Sequence, residues 1–91
     1  MTVTIQISAL LREYSGGVPD FKLEATSVRA ALAEIERLHP QVYRGVCDET
    51  GSVRKHVNIF VNTQNTRDGS GLDTQLTPGD VVMILQAVSG G

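Results

Sequence analysis

Apolar and polar residues alternate in residues 3–7 and again in residues 21–25. A period of two is typical of β-strands that bury one face. The intervening residues 10–20 contain the pair Gly16–Gly17 and also Pro19, which favour a loop or open turn. The start of the chain therefore predicts two strands that form a hairpin with a long connection.

The period changes after Thr26 and Ser27, whose hydroxyl groups can cap the start of a helix. The apolar residues that follow have helical spacing: Val28, Ala31, Leu32, Ile35 and Leu38. Pro40 predicts the end of this helix, because the residue before a proline avoids helical backbone angles. Residues 41–55 predict a short turn of helix followed by a polar loop.

Residues 57–62 alternate once more, with Val57, Ile59 and Val61 on one predicted face. Residues 63–65 predict a turn and residues 69–71 a loop. Residues 77–80 (TPGD) place proline and glycine at the central positions of a type II turn. Residues 81–88 are nearly all apolar, which predicts a strand covered on much of both faces.

The order strand, strand, helix, strand, turn, strand predicts an α+β fold of β-grasp architecture. One main helix should pack on one face of a small mixed sheet, with the first and last strands adjacent at its centre. We expect residues 1–88 to form this domain. Residues 89–91 offer no side chain to bury, so we expect a flexible tail that ends in Gly-Gly.

Composition narrows the possible functions. The length of 91 residues suits one domain. The eight lysines and arginines are scattered along a chain of net charge −2, which argues against nucleic-acid binding. A single cysteine excludes an intramolecular disulfide and a cysteine-based metal site. Because no signal peptide or membrane-length apolar stretch is visible, we expect a cytoplasmic protein, monomeric when free, that contacts no membrane.

Three sequence blocks carry a resemblance to a known family: residues 56–62 (HVNIFVN), 76–80 (LTPGD) and 86–91 (QAVSGG). With the element order, they make the chain similar to the MoaD/ThiS family of ubiquitin-like sulfur carriers over essentially its whole length. Residues 56–62 and the chain length resemble most the CysO branch, which supplies sulfur for cysteine synthesis. Ser89 stands where alanine is the more familiar residue.

The resemblance implies a protein cosubstrate rather than an enzyme. The carboxylate of Gly91 would be adenylated by an E1-like partner that uses ATP, and then converted to a thiocarboxylate. That group would give its sulfur to an acceptor biosynthetic enzyme, such as one of the cysteine-synthase type, that makes cysteine or another sulfur-containing metabolite. Gly90, Ser89 and Val88 would bind in the partner's channel, and this chain itself would hold no cofactor or metal.

The Gly-Gly ending suits this chemistry. A carboxylate is a poor electrophile, whereas its acyl adenylate has a good leaving group that a sulfur nucleophile can displace. Glycine lacks a Cβ, so Gly90 and Gly91 can pass through a narrow channel and adopt the backbone angles that it imposes. The absence of a side chain also leaves the Gly91 carbonyl open to attack.

Two alternatives belong to different functional classes. The chain could be the small subunit of molybdopterin synthase, with its tail held in a large partner subunit. It could instead be a ubiquitin-like modifier that forms isopeptide bonds with lysines of other proteins. The sequence does not separate these alternatives from the free sulfur carrier.

The sheet face opposite the helix is a candidate docking surface. Phe60 falls between Asn58 and Asn62 on that predicted face. Val82 and Ile84 share their parity with Gln86, so we expect them to reach the same face. An exposed apolar patch is typical of interaction sites; a loop that covers the patch is the alternative.

Other reactive side chains favour structural roles. Cys47 has no partner in its loop region and is interpreted as a small buried apolar residue. His39 and His56 lack an acidic or nucleophilic companion at a recognisable spacing, which argues against a catalytic dyad.

Overall fold

The computed structural model describes residues 2–86. The five strands are β1 (Thr2–Ile7), β2 (Asp20–Glu24), β3 (Val57–Val61), β4 (Gln64–Asn65) and β5 (Val81–Gln86). The two α-helices are α1 (Val28–Leu38) and α2 (Pro40–Val46). Short 3-10 helices span Ala9–Ser15, Thr66–Asp68 and Gly71–Asp73.

The strands form one mixed sheet in the order β2-β1-β5-β3-β4. β1 and β5 are parallel neighbours at its centre, and all other pairs are antiparallel. The predicted β-grasp arrangement, with the first and last strands adjacent, is therefore confirmed. None of the helices in residues 2–86 is long and apolar enough to cross a membrane.

The core lies between one face of the sheet and the two α-helices. Helix α1 contributes the buried side chains that its spacing predicted, apart from Leu38, which is 46% exposed in the last turn. The buried residues of the two central strands are Val3, Ile5, Ile7, Val82 and Ile84. Ser27 caps the helix as expected, because its Oγ accepts a hydrogen bond from the Ala30 amide at 3.1 Å.

Two segments differ from the sequence-based prediction. Residues 10–20 were expected to form a loop, but Ala9–Ser15 is a 3-10 helix that buries Leu11 completely. The expected turn at residues 63–65 is displaced, because Asn62 takes a left-handed conformation (φ 56°) and Gln64 and Asn65 pair back on β3 as strand β4. Asparagine tolerates that conformation better than most residues, which permits the tight turn.

The predicted turn before β5 is confirmed. The Asp80 amide donates to the Thr77 carbonyl at 3.1 Å, and Gly79 has φ 86°. The Asp80 carboxylate accepts hydrogen bonds from the Thr77 amide (2.9 Å) and from Asn62 Nδ2 (3.2 Å). These bonds, that from the Thr77 amide above all, lower the pKa of Asp80. The carboxylate thus joins the turn before β5 to the turn after β3.

The cap of α1 gives a test of the fold. Ser27→Ala removes the acceptor for the Ala30 amide and should lower the free energy of unfolding by about 0.5–2 kcal/mol. Thr26→Ala is the matched control, because the neighbouring Thr26 hydroxyl caps no amide of the helix. Urea unfolding monitored by circular dichroism measures both variants, and equal losses of stability would contradict the capping role.

Candidate functional site at the end of the last strand

The end of β5 is held on both sides. The Gln86 amide donates a hydrogen bond to Ser8 Oγ at 3.1 Å, and the Ser8 amide donates to the Ile84 carbonyl at 2.9 Å. On the opposite side, Gln86 pairs with Val57 of β3. The chain therefore continues toward Gly90 and Gly91 from a fixed point at the end of a central strand.

The predicted tail residues Val88, Ser89, Gly90 and Gly91 lie outside the described residues. Their assigned roles, and the boundary at residue 88, stay predictions. What the structure describes is the support from which they extend, which consists of Gln86 and its neighbours on β1 and β3.

The sequence analysis placed two of the three predicted docking residues on the wrong face of the sheet. Val82 is 2% exposed and Ile84 is fully buried, so both belong to the core beneath the helices. Each lies opposite an inward residue of β3: Val82 pairs with Val61, and Ile84 with Ile59. Directly opposite residues of antiparallel strands share a face, and therefore neither side chain can reach the outer surface.

The polarity of Gln86 caused this error. Gln86 has the same parity as Ile84, yet it is the last residue of β5 and lies beyond the main core. There it lines a surface cavity with Tyr14 and Arg44, so a polar side chain is tolerated on an inward position. Because the outward face of β5 was assigned from Gln86, its last residue, the two faces of the whole strand were exchanged in the prediction.

Phe60 does lie on the outer face, and its neighbours are residues that the sequence analysis missed. Phe60 pairs with Met83, and Asn58 pairs with Leu85. Phe60, Met83 and Leu85 are each only partly buried. We call these three residues the outer strip. The alternation of β3 indicates that Phe60 faces outward. The register between β3 and β5 would also have been needed to place Met83 and Leu85 on the same face.

A shallow cavity of about 310 Å³ lies beside the outer strip, toward the end of β5. Met83 and Leu85 form one wall, and Ser8 and Arg12 belong to the lining as well. Met83 and Leu85 are thus accessible from this cavity, and Leu85 adjoins Gln86, from which the tail continues.

Cys47 and His39 are not part of this site. Cys47 is 2% exposed, and burial raises the pKa of its thiol although a hydrogen bond with Tyr43 acts in the opposite direction. The His39 ring lies against Phe21, with 4.2 Å between the ring centroids. Within residues 2–86 no group of histidine, cysteine and acidic side chains could hold a metal ion.

Comparison with protein families gives a match to the ThiS family over residues 5–91. The chain belongs to the ThiS family. The match includes the end of β5 and all the residues after it, so the ThiS-family resemblance seen in the sequence is confirmed.

Individual ThiS-family relatives agree in sequence and in structure. The sulfur carrier protein CysO of Mycobacterium tuberculosis is 32% identical over 93 aligned residues, which cover 100% of both chains. A chain in the crystal structure of the Amycolatopsis orientalis BexX/CysO complex superimposes with a TM-score of 0.86 at 28% identity, covering 98% of this chain and 99% of that one. Small archaeal modifier protein 1 of Methanosarcina acetivorans has a TM-score of 0.84 at 30% identity, with 99% and 96% of the two chains covered. The fold is therefore ubiquitin-like.

The buried thiol of this ThiS-family chain yields a second test. A raised pKa leaves less thiolate at neutral pH, and the thiolate is the reactive form. Alkylation of Cys47 by iodoacetamide at pH 7 should therefore be at least about tenfold slower in the folded protein than in urea, because burial adds steric protection to the pKa effect. Mass spectrometry of timed samples measures the rates. Equal rates would show that Cys47 is accessible and reactive.

Proposed function

We propose that this chain is a sulfur carrier whose Gly91 carboxylate is converted to a thiocarboxylate by partner enzymes. The observation that carries the proposal is the full-length similarity to a sulfur carrier protein in a chain that ends in Gly90–Gly91. The anchored end of β5 supports it, because a folded domain with a fixed exit point is a suitable handle for a thin reactive arm.

The proposed chemistry has two balanced steps. The Gly91 carboxylate attacks the α-phosphorus of ATP in an E1-like enzyme, which forms the acyl adenylate and releases pyrophosphate. Hydrosulfide then attacks the acyl carbon, AMP leaves with one of the original carboxylate oxygens, and loss of the sulfhydryl proton leaves the thiocarboxylate. This chain supplies the carboxylate and the docking surface, whereas the partner binds ATP.

The thiocarboxylate would then pass its sulfur to an acceptor biosynthetic enzyme. The similarity to CysO favours an acceptor of the cysteine-synthase type. The likeness to a small archaeal modifier protein favours a second candidate function, the formation of isopeptide bonds with protein lysines. Covalent ladders on target proteins in cell extracts, visible with an antibody against this chain, would identify that second function.

The outer strip is the proposed contact surface for these partners. Phe60, Met83 and Leu85 form an apolar row on the outer face, which runs from the Phe60–Met83 pair along β5 to Leu85, next to Gln86. A partner that takes up the tail must approach this end. Aromatic side chains often anchor such interfaces, which makes Phe60 the expected centre of the contact.

Sulfur transfer to the terminal glycine is the decisive prediction. With ATP, an adenylating partner and a sulfur source, intact mass spectrometry should show one sulfur in place of one oxygen, and fragmentation should locate it at Gly91.

A chain extended by one bulky residue after Gly91 should gain no sulfur, because its carboxylate lies beyond the reactive position. A chain without Gly90 and Gly91 should be equally inactive while unfolding at an unchanged temperature. Sulfur on an extended chain that was not trimmed back would refute the proposal.

The docking role of Phe60 can be separated from its structural role. Phe60→Ala should weaken binding to the adenylating partner by about 1–4 kcal/mol, the range found for interface anchors. Val82→Ala is the matched control from the opposite face, and it should lower the free energy of unfolding by about 1–3 kcal/mol, since Val82 is buried. Isothermal titration calorimetry and urea unfolding measure the two effects. If Phe60→Ala unfolds easily and binds normally, Phe60 is a core residue.

A further inference from the structure

A group of basic residues lies at the end of β5. Arg44, Arg54 and His56 line a surface cavity of about 300 Å³ together with Gln86, the last described residue. We call these three residues the basic collar. They come from α2 and from the loop before β3, so the sequence shows them as scattered charges and only the fold brings them together.

The loop that carries Arg54 and His56 is held in place by hydrogen bonds from Arg67. Arg67 donates hydrogen bonds to the carbonyl oxygens of Arg54 (3.2 Å) and Val57 (2.8 Å) and to Asn58 Oδ1 (3.0 Å). Arg54 Nε donates in turn to the Arg44 carbonyl at 3.0 Å. The backbone beneath the collar is therefore ordered before any partner arrives, which reduces the entropy cost of binding.

Within residues 2–86, neither Arg44 nor Arg54 belongs to a side-chain ion pair; the two pairs found there, Arg29–Asp73 and Arg37–Glu34, lie elsewhere. Arg54 does act on one carboxylate, because the pKa of Asp48, lowered mainly by hydrogen bonds from Thr50, is lowered further by the charge of Arg54. Among the described residues, none of those that line the collar cavity is acidic.

Acidic residues do lie nearby, but in a different cavity. Glu36, Asp48 and Glu49 line a separate cavity of which Arg44 and Arg54 form part of the wall. The basic residues of the collar therefore face Gln86 on one side, where the chain continues toward Gly91, and this acidic cavity on the other.

We propose that the basic collar docks against an acidic rim around the channel through which an adenylating enzyme receives the tail. This inference rests on the proposed function. A channel that takes up the residues after Gln86 must bring its rim next to the residues around Gln86. An acidic rim would there meet the guanidinium groups of Arg44 and Arg54, and such complementary charge accelerates association and orients the partner.

The collar and the outer strip would have different tasks in this interface. Apolar contacts at Phe60 would slow dissociation, whereas exposed charges at the rim of an interface act mainly on the association rate and on its salt dependence. A charge reversal in the collar therefore differs in its kinetic effect from the loss of the apolar anchor.

Arg44→Glu is the most direct test, because the Arg44 side chain donates no hydrogen bond within residues 2–86. The probe is the purified adenylating enzyme of the same organism, and stopped-flow fluorescence measures the association rate constant. At ~0.05 M salt, Arg44→Glu should reduce this constant about three- to tenfold, and the reduction should largely vanish at ~0.5 M salt because ions screen exposed charges. Arg44→Lys should restore most of the rate.

Arg37→Glu is the matched control. It changes the net charge by the same amount on an exposed side chain of α1 that is paired with Glu34, and it should alter the association rate constant less than about twofold. Arg54→Glu should repeat the effect of Arg44→Glu, and circular dichroism verifies that each variant is folded.

The result that overturns the inference is an association rate constant of Arg44→Glu and Arg54→Glu equal to that of the wild type at low salt. The same conclusion follows if the collar variants instead lose binding to a single-stranded RNA oligonucleotide or to phosphatidylserine vesicles while enzyme association is unchanged. Sulfur gain at saturating enzyme separates the two proposals. If the wild-type protein binds through the collar but never gains sulfur, the carrier function alone is refuted. If sulfur gain is normal and the collar variants associate at the wild-type rate, the docking inference alone is refuted.

Discussion

The parallel pairing of β1 with β5 is the interaction on which the rest of the structure depends. Ile5 and Ile84 are fully buried on these two central strands, and each such side chain contributes about 1.5–3 kcal/mol through removal from water. β2 pairs only with β1, and β3 pairs with β5, so both wings of the sheet attach to this centre. Helix α1 covers the same strands from one side. The proposed reactive arm therefore continues from the most strongly supported strand of the domain.

Register decides which residues of β5 serve the core and which serve the surface. The pairing of Ile59 with Ile84 directs one row of side chains toward the helices and leaves Met83 and Leu85 on the other side. A shift of one residue would exchange the two rows and expose the core side chains. The hydrogen bonds of Asp80 to the Thr77 amide and of Gln86 to Ser8 fix β5 near both ends, which secures this register. Core packing and the proposed docking surface thus have the same origin.

Most of the fold followed from local patterns, whereas the site depended on contacts between distant residues. The alternation before Ile7, the spacing in α1 and the TPGD turn were sufficient for the β-grasp prediction. The face of Val82 and Ile84 was wrong because it was counted from Gln86, a polar residue beyond the core, and because cross-strand register leaves no mark in a single strand. The basic collar was invisible for a similar reason, since Arg44 and Arg54 meet only after α2 and the following loop have folded.

The sheet order also has a consequence for protein synthesis. The hairpin of β1 and β2 leaves the ribosome before the other described strands, but the partner that fills the other side of β1 is β5, the last of the five in chain order. Until residues 81–86 emerge, one edge of β1 lacks its neighbour and exposes backbone groups that can pair with another chain. Non-local pairing of this kind slows folding. The domain completes its sheet only after residues 81–86 have been made, so nascent chains that stall before β5 are the form most prone to aggregation.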